Sequence, residues 1–226
     1  MRTTAWEQQS EAQLSAMTAA ERLTWAVGEF GEQVLATSSF GADSAVLLHL
    51  LAQQAPNLPV YFINTGFLFA ETLDYQARLT QRLGTPLREL RPEPFGPDFV
   101  AQYGELYRTD ANACCQSNKV AVLARALEGA ACWISGLRRD QSDSRKSTPF
   151  LQRRADGLYK LHPLADWTQP QVTTYMRQHK LPLHPLAVQG YTSIGCQPCT
   201  AKPLPGADER SGRWAGQDKT ECGLHV

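Results

Sequence analysis

Five apolar β-type runs alternate with helical stretches along most of this chain, and that alternation constrains the fold more than any other feature. The runs are "QVLATSSF", "PNLPVYFINTG", "PLRELRP", "ACWISGLR" and "DGLYKLHPLAD". Around and between them lie "ERLTWAVGEF", "DSAVLLHLLAQQ", "AETLDYQARLTQRLG", "NKVAVLARALEG" and "TQPQVTTYMRQHK", each with helical character. Gly84 and Gly129 stand where left-handed caps close helices, and Thr168 with Pro170 marks a helix start. Such alternation predicts an α/β fold, a mainly parallel sheet with helices on both faces. Ligands of these sheets sit beyond the carboxyl ends of the strands. The loops to inspect are therefore 37–44, 64–70 and 135–147.

A length of 226 residues, 42% of them hydrophobic, suits one large domain with a smaller appendage. The expected division is 1–183 for the α/β domain and 184–226 for a C-terminal segment where Gly, Pro and Cys dominate. That segment reads as an irregular tail folded over the site. Charge is balanced, 22 basic residues against 22 acidic, so no global field points to nucleic acid or to a membrane surface. No run of about 18 apolar residues exists to span a membrane. "MRTTAWEQQSEAQL" lacks the apolar stretch of a signal peptide, and the expected location is the cytoplasm. Structural disulfides are rare there, so Cys114, Cys115, Cys132, Cys196, Cys199 and Cys222 read as metal ligands, reactive thiols or fillers. The oligomeric state, a homo-oligomer included, is left open.

The first loop runs Ser38-Ser39-Phe40-Gly41-Ala42-Asp43-Ser44 between a strand and a helix. Small residues let the backbone approach a ligand, and the first N–H groups of a helix favour an anion. The hydroxyls of Ser38, Ser39 and Ser44 add donors. A tight connection with Asp43 capping the helix would use the same residues. The stretch is neither a Walker A loop nor a G-x-G-x-x-G dinucleotide loop. It resembles the PP-loop of the adenine nucleotide α-hydrolase-like superfamily, whose ATP-pyrophosphatase members usually read Ser-Gly-Gly-x-Asp-Ser. Phe40 replaces the first glycine here, a form similar to that of the sulfonucleotide reductases.

Cys114 and Cys115 are adjacent, and Cys196-Gln197-Pro198-Cys199 lies far downstream. A CxxC pair is a bidentate arrangement for zinc or for an iron–sulfur cluster, and two pairs complete a four-thiolate site. Zinc, a cluster and unrelated buried thiols all remain open on spacing alone. Adjacent cysteines suit a helix start better than a strand, where they would face opposite ways. Lys119 follows Cys115 by about one helical turn and should project to the same side. Cys132, inside a strand, reads as a core filler. Cys222, in "KTECGLHV", is poorly placed to fill a core and well placed to react. Lys219 and His225 flank it, and Arg210 and Arg213 of "ADERSGRW" can fold back beside it. Cations beside a thiol favour its thiolate form.

Taken together and in order, "SSFGADS", "INTGFLFAETLDY", "CC" with "CQPC", "GLRRDQSDSR", "ADERSGRW" and "KTECGLH" resemble the assimilatory adenylyl-sulfate (APS) reductases, iron–sulfur type, of the PAPS/APS reductase family. The likeness runs from residue 37 to the end of the chain. Members that prefer the 3′-phosphorylated substrate, PAPS, generally lack the CC/CxxC set; this chain has it together with the terminal Glu-Cys-Gly-Leu-His.

The resemblance implies reduction of APS to sulfite and AMP, with Cys222 as nucleophile, an S-sulfocysteine intermediate, and thioredoxin or glutaredoxin as electron donor. It implies a [4Fe-4S] cluster on Cys114, Cys115, Cys196 and Cys199, with Lys119 close by in a structural or electrostatic role. Substrate contacts are expected from Ser38, Ser39, Phe40, Gly41, Asp43 and Ser44, from Leu68 and Gly136 around the adenosine, and from Arg145, Arg210, Arg213 and His225. Three alternatives belong beside this. A PP-loop ATP pyrophosphatase or tRNA-thiolating enzyme would need the regular loop and, for tRNA, a basic surface. A cluster protein that senses adenine nucleotides would have no use for a terminal thiol. A PAPS-preferring or dual-substrate reductase is separable by substrate comparison.

Overall fold

The computed structural model describes residues 2–204, 206 and 209–224. Along the chain come α1 (Thr4–Ser15), α2 (Ala19–Phe30), β1 (Val34–Thr37), α3 (Ser44–Gln54), β2 (Val60–Ile63), α4 (Ala70–Leu83) and β3 (Leu87–Leu90). Three short helices follow, α5 (Pro97–Tyr103), α6 (Leu106–Thr109) and α7 (Ala111–Cys115). A π-helical turn, Gln116–Val120, joins α7 to α8 (Ala121–Ala126). Then come β4 (Cys132–Ile134), β5 (Leu151–Arg153), β6 (Tyr159–Leu161), α9 (Gln169–Gln178) and α10 (Pro185–Val188).

The strands form one sheet in the order β3-β2-β1-β4-β6-β5, parallel throughout except for β5, which runs antiparallel to β6. Side chains alternate between its two faces. Val34, Ala36, Val60, Phe62, Cys132, Ile134, Tyr159 and Leu161 enter one core with residues of α1, α2, α3, α4 and α9. Leu35 and Trp133 point the other way and pack with Leu123 and Leu127 of the α8 region. Burial on both faces is why the parallel strands read as continuous apolar runs. Chain order reverses at β1, with β2 and β3 on one side and β4 and β6 on the other. That switch point opens a crevice at the carboxyl end of β1.

Helix caps follow local chemistry. Thr18 and Glu21 make a capping box at α2, Thr168 and Gln171 another at α9, and Gly84 closes α4 in the left-handed conformation, φ 64°. Gly129 does not close α8, which stops at Ala126; Gly129, φ 80°, sits in the turn beyond it. Three differences from the sequence reading concern weakly patterned segments. Helix α1 is polar, and earns its place through Glu11, whose carboxylate accepts the N–H groups of Phe150 and Leu151 at 2.9 and 2.8 Å. Strand β5 is a three-residue edge held by β6 rather than by its own pattern. Helices α5 to α7 are short and broken by Gly104 and Asp110. Among the described residues no helix is long and apolar enough to cross a membrane.

Candidate active site

A single cleft gathers the loops at the carboxyl ends of β1, β2 and β4. Its walls include Ser38, Ser39, Gly41, Asp43, Ser44, Leu68, Gly136, Lys119, Arg145, Arg210, Arg213 and Cys222. Nearly every residue expected at a substrate site is thus brought together. Phe40 is the exception: its backbone turns to φ 50° and its ring is fully buried, edge-on to Phe62 at 5.1 Å. The side chain anchors the loop from below, a burial worth about 2 kcal/mol, and only its backbone remains for the cleft. His225 lies outside the described residues.

Asp43 does not cap α3 with its side chain. Its carboxylate instead accepts from Arg138 Nη1 at 2.7 Å and Gln169 Nε2 at 3.3 Å. Arg138 is buried, and its Nε also pairs with Asp140 at 2.9 Å. Burial works against the guanidinium's charge, but the two carboxylates more than offset it and its pKa is raised. The Asp43 carboxylate in this loop is thereby neutralised by Arg138. Gly136 brings the end of β4 close to α3, where a Cβ would meet Leu47 at 3.4 Å. On the opposite wall Leu68 bridges to Cys196, and Gln197 N–H donates to Phe67 O at 2.7 Å.

The last described residues fold back over this cleft. Glu221 meets Arg145 through two parallel bonds of 2.8 Å and Arg210 at 3.1 Å. Lys160 Nζ donates to Leu224 O at 3.0 Å, and Leu224 packs on the cluster around Trp133. Between these anchors Cys222 is half-buried beside Cys115, Cys196, Cys199 and Trp214. Lys219 reaches Asn112 Oδ1 and lies over the ring of Trp214, 5.4 Å from its centroid, close enough to act on Cys115. Lys119 faces the thiols as well: burial opposes its charge, yet the sulfurs of Cys196, Cys222 and Cys115 raise its pKa.

Cys114, Cys115, Cys196 and Cys199 are all buried and free. Burial, and then the neighbouring thiols, push Cys114 up to about 12, and burial and Cys196 push Cys199 up to about 11. Four such sulfurs cannot carry thiolate charge together without a cation, so the donor set suits a metal group that displaces their protons. Two orphaned polar atoms support this. Trp214 Nε1 and Asn118 Oδ1 are buried without a partner, and Trp214 packs against three of the four cysteines. Asn118 Nδ2 reaches Cys114 Sγ at 3.7 Å, and Thr65 Oγ1 lies 3.3 Å from Cys196 Sγ. Among the described residues no three Cys, His, Asp or Glu side chains are set to hold one metal ion. Cys132, fully buried in β4, takes no part.

The sequence model of the phosphoadenosine phosphosulfate reductase domain matches residues 33–202, most of the chain and every strand. The chain belongs to that family. Among curated relatives of this reductase family, the adenosine 5′-phosphosulfate reductase of Mesorhizobium japonicum is 42% identical over 198 residues, covering 87% of this chain and 78% of its own. The phosphoadenosine 5′-phosphosulfate reductase of Xanthomonas campestris pv. campestris is 43% identical over 219 residues, covering 95% and 90%. Among solved structures, the phosphoadenylyl-sulfate reductase of Candida auris superposes with a TM-score of 0.78 at 24% identity, over 87% of this chain and 97% of that one. The FMN adenylyltransferase of Candida glabrata shares the fold at a TM-score of 0.58 and 16% identity, over 87% and 68%.

Three residues of this reductase-family site escaped the sequence reading. Arg138 stood beside Arg139 in "GLRRDQ" with nothing to separate them. Glu221 was visible only as the neighbour of Cys222. Lys160 had a signal, a lone charge in the apolar run "GLYKLHPL", which a buried strand does not hold without a partner.

Proposed function

We propose that this chain reduces adenosine 5′-phosphosulfate to sulfite and AMP through a Cys222 S-sulfonate, in the assimilation of sulfate toward cysteine, with a thioredoxin- or glutaredoxin-type dithiol as reductant in a reducing cytoplasm. The observation that carries this reading is the seat of Cys222. A half-buried thiol sits in the wall of a cleft that also presents an anion-binding loop and four arginines. In this division of labour residues 1–183 hold the nucleotide, and 184–226 carry two metal ligands and the nucleophile.

The thiolate of Cys222 attacks the substrate's sulfur. An S–S bond forms as the S–O bond to phosphate breaks, and the electron pair leaves on AMP. The N–H groups and hydroxyls of the loop at Ser38, Ser39, Gly41 and Ser44 take the phosphosulfate, with Asp43 held neutralised by Arg138. Arg145, Arg210 and Arg213 balance its oxygens through charge-assisted bonds. Leu68 and Gly136 flank the adenosine. A thiolate of the reductant then attacks the sulfur of Cys222, sulfite leaves with the bonding pair, and the reductant's second thiol resolves the mixed disulfide and returns Cys222 as a thiol.

Cys114, Cys115, Cys196 and Cys199 would hold a [4Fe-4S] cluster, which when bound supplies negative charge beside Lys119 and not electrons, since the dithiol supplies both reducing equivalents. Relatives of similar identity carry the names of both APS and PAPS reductases, and the paired cysteines favour APS. The test is intact-mass analysis of the protein incubated with APS or with PAPS and no thiol. A gain of one SO₃ on the Cys222 peptide with APS alone is expected. A gain with PAPS as well widens the substrate, and no gain with either overturns the reading.

A further inference from the structure

Lys160 is the one charged residue of the strands nearest the switch point whose head lies inside the protein. It is central in β6, with Tyr159 and Leu161 facing the opposite core, and it is 3% exposed. Its neighbour in β4 is Trp133, over whose ring the ammonium sits at 4.4 Å. Burying an ammonium is costly unless acceptors replace its water. The hydrogen bond it makes is to the Leu224 carbonyl, 64 residues away in sequence and two residues beyond Cys222. Leu224 is seated there by the apolar cluster of Leu35, Leu123, Leu127, Trp133 and Leu158. Lys160 does not line the cleft, so it has no direct reach to substrate.

We infer that Lys160 is a positioning residue for the nucleophile: it clasps the backbone of Leu224 and, with the Arg145–Glu221 pair on the other side, holds Cys222 at the cleft. The inference rests on the reading of Cys222 as nucleophile. The clasp binds backbone and not a side chain, so it fixes the course of the chain whatever residue stands at 224. Four groups bear on the same point: Arg154 and Arg145 crowd the ammonium, while Cys222 and Glu221 attract it. Burial, first among these influences, pushes its pKa down to about 7, and the amine can donate to the carbonyl in either protonation state. A nucleophile that must attack in the cleft and then meet a reductant needs a dock that holds without locking. One N–H to carbonyl bond provides such a dock.

The test compares wild type, Lys160→Met, Lys160→Gln, Leu224→Ala and the Lys160→Met/Leu224→Ala double variant, each carrying its metal group. Three quantities are read: the single-turnover rate of the SO₃ adduct on Cys222, the affinity for AMP, and the rate at which trypsin releases the peptide after Lys219. Lys160→Met should slow adduct formation roughly tenfold or more, as displacement of a reacting atom by about 1 Å does, with AMP affinity unchanged and the tail released several-fold faster. Lys160→Gln, which keeps an N–H donor without charge, should fall between Met and wild type. Leu224→Ala keeps the carbonyl that Lys160 binds and removes only the apolar seat, so the double variant should release the tail faster than either single change. Wild-type adduct rate together with wild-type tail protection in Lys160→Met overturns the inference. If Lys160→Met does not fold, Lys160→Gln against wild type decides by the same readings. Should wild type itself form no adduct, the reductase reading fails, while trypsin release still decides whether Lys160 holds the tail.

Discussion

Glu221 and Arg145 meet as a bidentate ion pair, Oε1 on Nε and Oε2 on Nη2, each at 2.8 Å, with the two side chains only 10% and 9% exposed. It ties the described end of the chain to the segment between β4 and β5, and it lies immediately beside Cys222. Exchange of the carboxylate for an amide removes a charged bond worth about 2 kcal/mol. Glu221→Gln should therefore shift the docking of the tail about thirtyfold and slow adduct formation. Stopped mass spectrometry of the Cys222 peptide measures it.

Cys222→Ser should abolish turnover while iron content and AMP binding persist. Loss of iron in that variant would make Cys222 a ligand and not a nucleophile.

Serine at Cys114, Cys115, Cys196 or Cys199 should lower bound iron and visible absorbance together with activity. Chelation of the wild type should do the same and lower Tm, since Leu68 and Cys196 are joined directly and metal energy is folding energy at such sites. Full activity in an iron-free variant would contradict this.

Arg138→Met leaves Asp43 uncompensated in the anion loop. Removing one partner of a buried pair costs about 3–5 kcal/mol, so Tm should fall markedly. The loop's repelling charge should also raise the KM for substrate. The double variant Arg138→Met/Asp43→Asn should recover part of both, and absence of recovery would mean that Arg138 acts elsewhere.

His184 is fully buried, accepts Leu186 N–H at 3.1 Å as the cap of α10, and lies 3.1 Å from Thr72 Oγ1. Burial pushes its pKa from 6.5 down to about 4. Between those values the unfolded chain binds the extra proton. The stability it contributes is thus complete above about 6.5 and is lost as pH falls toward 4, amounting to about 2 kcal/mol by pH 5. Buried His162, pushed down to about 3, acts in the same direction. Tm measured at pH 7.5 and pH 5 should fall more in wild type than in His184→Asn, which keeps a capping acceptor. Equal falls would refute the assignment.

The strands β1, β2, β4 and β6 were legible because burial on both faces demands continuous apolar runs, and the cleft followed from their order. The gathering of Cys114 and Cys115 with Cys196 and Cys199 was legible through the motifs that surround them. Partnerships were not. Arg138 with Asp43, Arg145 with Glu221 and Lys160 with Leu224 lie 95, 76 and 64 residues apart, and no local pattern specifies which charge finds which. Phe40 misled for a related reason: a loop residue reads as ligand-facing until the tertiary packing shows its ring beneath the loop.

The π-helical turn at Gln116–Val120 stands between the cysteine pair of α7 and the Leu123 face of α8. It acts as a phase shifter. A regular helix advances about 100° per residue, so excising one residue from this turn would restore an ideal hydrogen-bond ladder and rotate one end against the other by that amount. Either the thiols would swing from their partners, or Leu123 would leave Trp133. The irregular ladder lets one rod serve two masters, and a helix with better local bonding would be a worse protein.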